Sequence, residues 1–194
     1  VACDVLETNV MPSLTARLPW AALLAITLTA WPALAQTETF TAIAEIKSPG
    51  GESATVPLTI AVARYATSKE RQDLIGAMKE GGATSAHALL LKRAAVGTLQ
   101  INGQQTPIRY AYAVDTGGSR LITLATAEPI PIPIANMRQE RGYDVGFLLL
   151  ELDSSGSGTG QLVPAAKVHV DAEDAIVTEH ASPDIVQLSK VTRK

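Results

Sequence analysis

The densest group of residues able to do chemistry is VHVDAEDAIVTEH, which gathers His169, Asp171, Glu173, Asp174, Glu179 and His180. Imidazoles and carboxylates at close spacing are the material of a metal site, but a metal also needs its ligands to converge in a defined geometry. The pattern here argues against that. His169 and Asp171 share one face of an alternating strand, opposite Val168 and Val170. The DAEDA run lacks the glycine and the ligand positions of a calcium loop. The segment reads as the polar tip of a hairpin whose valine face is buried, and no metal or other cofactor is implied.

Three other constellations invite a chemical reading. DSSGSGTGQ has a G-x-G-x-G look, yet QLVPAAKV follows it, a strand pattern interrupted by Pro164. A phosphate cradle needs a helix there, so that N-terminal amides face the anion; a hairpin turn fits better. Glu151 shares a strand face with Val145, Phe147 and Leu149, and burial there would raise its pKa as catalysis by paired carboxylates requires. A turn begins two residues later, which places Glu151 at a solvated strand end. Of the histidines, His87 has Leu90 and Leu91 one helical turn on and reads as a partly buried structural residue. There is no G-x-S-x-G elbow, so the sequence carries no catalytic signature.

Tyr110 and Tyr112 remain the candidate ligand-binding residues. Strict alternation puts them on one strand face with Ile108 and Val114, and puts Arg109, Ala111 and Ala113 on the other. Inside a barrel, such tyrosines would supply an aromatic wall and a hydroxyl to an apolar ligand. The competing reading is a pair of core tyrosines whose hydroxyls are satisfied near the rim.

The elements that must position these residues alternate with period 2. TFTAIAEIK is a first strand and ATVPLTIAVARYA a second. The period then changes. Thr67 and Glu70 form a capping box, Leu74, Ile75 and Met78 mark one helical face, and Gly81-Gly82 ends the helix in the left-handed way. TSAHALLLKR is a second, shorter helix. AVGTLQI and TPIRYAYAVD flank an Asn102-Gly103 hairpin signal, and SRLITLATA follows. YDVGFLLLELD is the most apolar strand and is expected to be central, covered on both faces. QLVPAAKVHV, AIVTEH and DIVQLSKV complete a meander. The expected fold is α+β, predominantly antiparallel β. About eight or nine strands form a barrel or sandwich, with a helical hairpin between strands two and three.

In EPIPIPI, Pro129, Pro131 and Pro133 alternate with Ile130, Ile132 and Ile134. Backbone N–H groups point alternately to the two edges of an extended chain, so these prolines delete donors on one edge only. The segment is expected to be an edge strand that cannot recruit another. A polyproline ligand is the rival, but the P-x-x-P spacing is absent.

Residues 11–35 have the grammar of a cleaved signal: Arg17, an apolar stretch from Trp20 to Trp31, and Ala33-Leu34-Ala35 before Gln36. The run is too short for a membrane span. Residues 1–10 read as an over-extended start, and 36–194 as one β-rich domain. The lone cysteine, Cys3, lies upstream, so disulfides and thiolate chemistry are excluded from that domain. A net charge of −3 gives no electrostatic case for nucleic acid or anionic membrane.

The blocks IKSPGG, TSKERQDLIGAMKEGG, VGTLQINGQQTPIRYAYAV, RLITLATAEPI and LLLELDSSGSGTGQLVPAAKV together resemble a family of uncharacterised secreted single-domain proteins of Acidobacteria. The resemblance implies export to the periplasm or beyond and a single domain. It implies no activity and no functional residue. The functional expectation is an exported, monomeric, non-enzymatic domain that binds a small apolar ligand or a protein partner. A cell-envelope hydrolase with carboxylate or serine chemistry and a purely structural envelope protein are the alternatives.

Overall fold

The computed structural model describes residues 37–47, 53–132, 144–171, 176–180 and 186–194. The strands are β1 (Glu38–Lys47), β2 (Ser53–Val62), β3 (Gly97–Ile101), β4 (Gln104–Asp115), β5 (Ser119–Thr126), β6 (Val145–Asp153), β7 (Ser157–Val170), β8 (Ile176–His180) and β9 (Val186–Arg193). One helical element, α1 (Ser68–Lys92), lies between β2 and β3. All pairings are antiparallel, and β6–β7 pairing closes the ring β1-β2-β3-β4-β5-β6-β7-β9 into an eight-stranded barrel. The long β7 carries β6 on one edge. Along its other edge β9 pairs with 157–162 and β8 with 166–170. β8 is therefore an extension of the wall beyond the ring rather than a further member of it.

Alternation drives the closure. Phe40, Leu58, Ile60, Leu99, Ile101, Ile122, Leu124, Leu148, Leu150, Leu162 and Leu188 all belong to one buried cluster filling the lumen. Burying that many large side chains, at roughly 1.5–3 kcal/mol each, is what the conformational entropy of closing the ring must be weighed against. The two-residue turn at Asn102 (φ 48) and Gly103 (φ 81) has the double positive φ that matches strand twist in tight hairpins.

α1 begins as its capping box requires. The Thr67 hydroxyl accepts from Glu70 N–H at 3.2 Å, and the Glu70 carboxylate accepts from Thr67 N–H at 2.8 Å. Gly81 and Gly82 interrupt the helical dihedrals, splitting α1 into the two helical pieces that the glycines suggest. Gly82 has φ 61 but ψ −153, so the break is an extended, glycine-only conformation and not the left-handed cap. Leu74, Met78, Ala86 and Leu90 pack on a second cluster, formed by Tyr110, Ala125, Ala127, Val145 and Val168 on the outside of the β4–β7 wall.

Two expectations need correction. β6 is not covered on both faces: Leu148, Leu150 and Leu152 point into the lumen, but Leu149 is exposed on the outside, where the helix does not reach. The described part of the proline segment, up to Ile132, is not an edge strand either. Ile130 N–H donates to Pro164 C=O at 2.8 Å, and Ile130 and Ile132 join the lumen cluster while Pro131 faces solvent. Ile130 and Ile132 share a face, and it serves to seal the barrel interior. Gly146 makes room for this: a Cβ there would lie 2.5 Å from Ile130 Cγ1. Pro133 and Ile134 lie outside the described residues.

Candidate functional site: a charged cleft at the barrel rim

At one end of the barrel, β1 and β5 begin, β4 and β9 end, and β6 turns into β7. Each strand brings its last inward-facing position to this rim. Glu38 continues the phase of Phe40 and Ala42, Arg120 that of Ile122 and Leu124, and Arg193 that of Val191. These polar side chains cap the apolar lumen where it meets water. Arg120 Nη1 donates to Glu38 Oε1 at 3.1 Å, the Tyr65 hydroxyl donates to Glu38 Oε2, and Arg193 Nη2 forms an ion pair with Glu38 Oε1 at 3.1 Å. The Arg120 guanidinium also lies 5.0 Å over the Tyr65 ring. Such charge-assisted bonds at a partly buried carboxylate fix geometry as well as energy.

The electrostatics follow from these contacts. Burial of Glu38 opposes its ionisation, but the hydrogen bonds from Tyr65 and Arg120 and the charges of Arg120 and Arg193 outweigh it. The carboxyl is held below its ordinary value of 4.5. Burial, with the Glu38 carboxylate beside it, pushes the Tyr65 phenol well above its ordinary range.

A cleft of about 460 Å³ opens beside this cluster and shares Arg120 and Arg193 with it; the rest of its lining is Asp115, Gly117 to Ser119, Leu152 to Ser154 and Gly156. That volume falls within the range of small-molecule sites. Both walls are braced turns. Thr116 N–H donates to Ser119 C=O at 2.8 Å, with Gly117 at φ 72 between them. Asp153 Oδ1 accepts from the N–H groups of Ser155 and Ser157, at 2.8 and 3.1 Å. Gly156 C=O accepts from Arg193 N–H at 2.9 Å, tying the second turn to β9. The DSSGSGTG stretch thus forms a hairpin turn followed by a strand, as its context indicated.

Tyr110 and Tyr112 lie elsewhere. A bulge at Arg109 separates the pairs Ile108↔Thr126 and Tyr110↔Ala125. One extra residue moves everything after it to the opposite face. Ile108 and Ala111 therefore face the lumen, while both tyrosines turn outward under α1. The lumenal placement read from alternation is corrected on this ground. Their rings stack at 6.4 Å, with Arg93 over Tyr110 at 5.9 Å and Arg71 over Tyr112 at 5.5 Å. The Tyr110 hydroxyl is buried without a hydrogen-bond partner among the described residues, and burial pushes its pKa to about 12. Tyr110→Phe should therefore be neutral or stabilising by up to about 1 kcal/mol in urea unfolding, because it removes an unsatisfied buried group. A loss above about 1 kcal/mol would mean that the hydroxyl has a partner in solution.

The remaining candidates do not converge. Glu151 is exposed on the outer face near the strand end. His87 Nε2 lies 2.9 Å from Ala127 C=O and so acts as a donor that pins α1 to the wall. Among the described residues, no group of three or more His, Cys, Asp or Glu could hold a metal. Residues 172–175 and the side chains of Glu179 and His180 lie outside them, as does the signal-like segment. No helix among the described residues is long and apolar enough to cross a membrane. No protein-family model, curated protein or solved structure matches the chain. The rim residues were missed in the sequence because each is a lone charge at the end of a different strand.

Proposed function

We propose that this chain is an exported, monomeric, non-catalytic binding domain whose ligand seats in the rim cleft. The observation that carries the reading is an open cleft of about 460 Å³ whose lining residues Arg120 and Arg193 are held in place by Glu38. Preorganised polar groups limit the ordering cost of binding. The lumen, by contrast, is occupied by the side chains of the barrel's own strands, and a ligand inside it would have to displace them. The apolar ligand expected from Tyr110 and Tyr112 accordingly gives way to a polar one.

A hydrolase reading gains little support. Glu38 is engaged by two donors, Tyr65 and Arg120, and by the ion pair to Arg193, and Asp153 Oδ1 by its own turn. A general acid or base needs a group free to exchange its proton with substrate.

The test uses Gly118, which lines the cleft, has open space where a Cβ would go, and has no strained φ. Gly118→Leu should leave the thermal midpoint of the free protein unchanged while filling the cleft. A panel of carboxylates, amino acids, short peptides and sugars is then screened by thermal shift. Any solute that stabilises the natural protein should lose that effect in Gly118→Leu. A stabilising solute that binds the variant equally well places the site elsewhere, and a panel without effect favours the purely structural role.

A further inference from the structure

We infer that the rim cleft takes a small solute carrying both a carboxylate and an ammonium group, of amino-acid to short-peptide size; this rests on the binding role proposed above. The lining holds two cations, Arg120 and Arg193, and two anions, Asp115 and Asp153. A solute with only one sign of charge is attracted by one pair and repelled by the other. A zwitterion can satisfy both.

The spare hydrogen-bonding capacity has the same polarity. The Arg193 side chain is 51% exposed, and its ionic contact with Glu38 is made through Nη2. A guanidinium offers five N–H donors in a planar fork, so a second carboxylate can be received side by side with that of Glu38. Arg120 is held more deeply, at 26% exposure, and adds its charge to the lining. Asp115 supplies the opposite charge, directly across from Arg120 on the neighbouring strand. Its side chain is 88% exposed and lies 3.9 Å from Arg120 Nε, too far for a normal hydrogen bond. Its oxygens are available to an ammonium group. Gly117 and Gly118 put side-chain-free backbone into the lining, where a short extended solute can approach closely.

The test is calorimetric titration of the purified protein with L-alanine, L-alanyl-L-alanine, N-acetyl-L-alanine and L-alaninamide. One or both zwitterions should bind, and capping either end should weaken binding about tenfold, the loss expected for one charged hydrogen-bonding group. Stronger binding of the dipeptide would assign the site to peptides, and stronger binding of alanine to free amino acids; either supports the inference. Asp115→Asn should weaken the zwitterion about tenfold while leaving the N-acetyl probe unchanged. Arg193→Gln should show the reverse selectivity towards the amide, provided that its thermal midpoint shows a folded protein. Gly118→Leu, which leaves the Glu38 contacts alone, should abolish binding of every probe. Equal binding of alanine and N-acetyl-alanine would overturn the zwitterion inference, as would an unaffected Asp115→Asn variant. Binding of none of the four, alongside a sugar that Gly118→Leu excludes, would also overturn it while the binding role stood. No cleft-dependent binding by any solute would overturn both.

Discussion

Replacing Phe40 by alanine should lower the unfolding free energy by about 3–5 kcal/mol, the usual cost of removing a large ring from a packed interior. Phe40 has no solvent exposure and sits in the lumen on β1, beside Ile60 on β2. Its walls are strands paired on both sides, with β2 and β9 holding β1, so the space left behind has little freedom to collapse. The unfolded chain loses nothing comparable. In urea, the midpoint should fall sharply while the slope stays constant, because a change of slope would signal a change in compactness. Leu91→Ala provides the contrast: this side chain is 55% exposed on α1, and its loss should stay within about 0.5 kcal/mol. A Phe40→Ala cost below about 1 kcal/mol would show that the lumen is loosely filled.

Glu38→Gln should cost about 1–3 kcal/mol at neutral pH, less than a fully buried ion pair because the site is partly open. The Glu38 side chain is only 16% exposed, accepts hydrogen bonds from Tyr65 and Arg120, and is ion-paired with Arg193. The amide keeps the shape and removes the charge, which leaves Arg120 half-enclosed against Tyr65 without its carboxylate. Arg193, half in water, should contribute least of the three. The effect has a pH signature. Because the folded-state pKa of Glu38 lies below its ordinary value of 4.5, its contribution is fully present above that value and disappears as pH falls through the folded-state value. The stability difference between the natural protein and Glu38→Gln should therefore be constant from pH 7 to about 5 and shrink towards zero in stronger acid. Glu70, lowered to about 2 by its hydrogen bonds from Arg64 and from the Thr67 backbone, titrates in both proteins and cancels from the comparison. A difference that persists unchanged into strong acid would show that charge at Glu38 is not its source.

The contrast between what alternation reveals and what it hides is physical. The strands, the Asn102-Gly103 hairpin and the Thr67–Glu70 cap are local patterns, each stabilised by residues close in sequence. Barrel closure was legible only as one of two options, because β1 and β9 meet through pairings that no local pattern encodes. The bulge at Arg109 leaves no mark in a period-2 reading, and a single residue there turned Tyr110 and Tyr112 from expected lumen to helix interface. The apolar run in β6 suggested burial on both faces, but α1 covers the Val145 end of the outer wall and leaves Leu149 exposed. The rim cluster carried a faint signal. Glu38, Arg120 and Arg193 are charges that fall in phase with lumen-facing apolar residues at strand ends. An inward charge at a strand terminus marks where a barrel meets water, although only the fold shows that three of them meet.

The central claim is that the ligand site is the rim, outside both the filled lumen and the tyrosine pair under α1. It is tested most directly by backbone amide NMR during titration with L-alanyl-L-alanine. The account expects shifts confined to Asp115–Arg120, Leu152–Gly156 and Arg193. Shifts centred on Tyr110, Tyr112 and α1, or on the lumen residues Leu124 and Leu148, would contradict it.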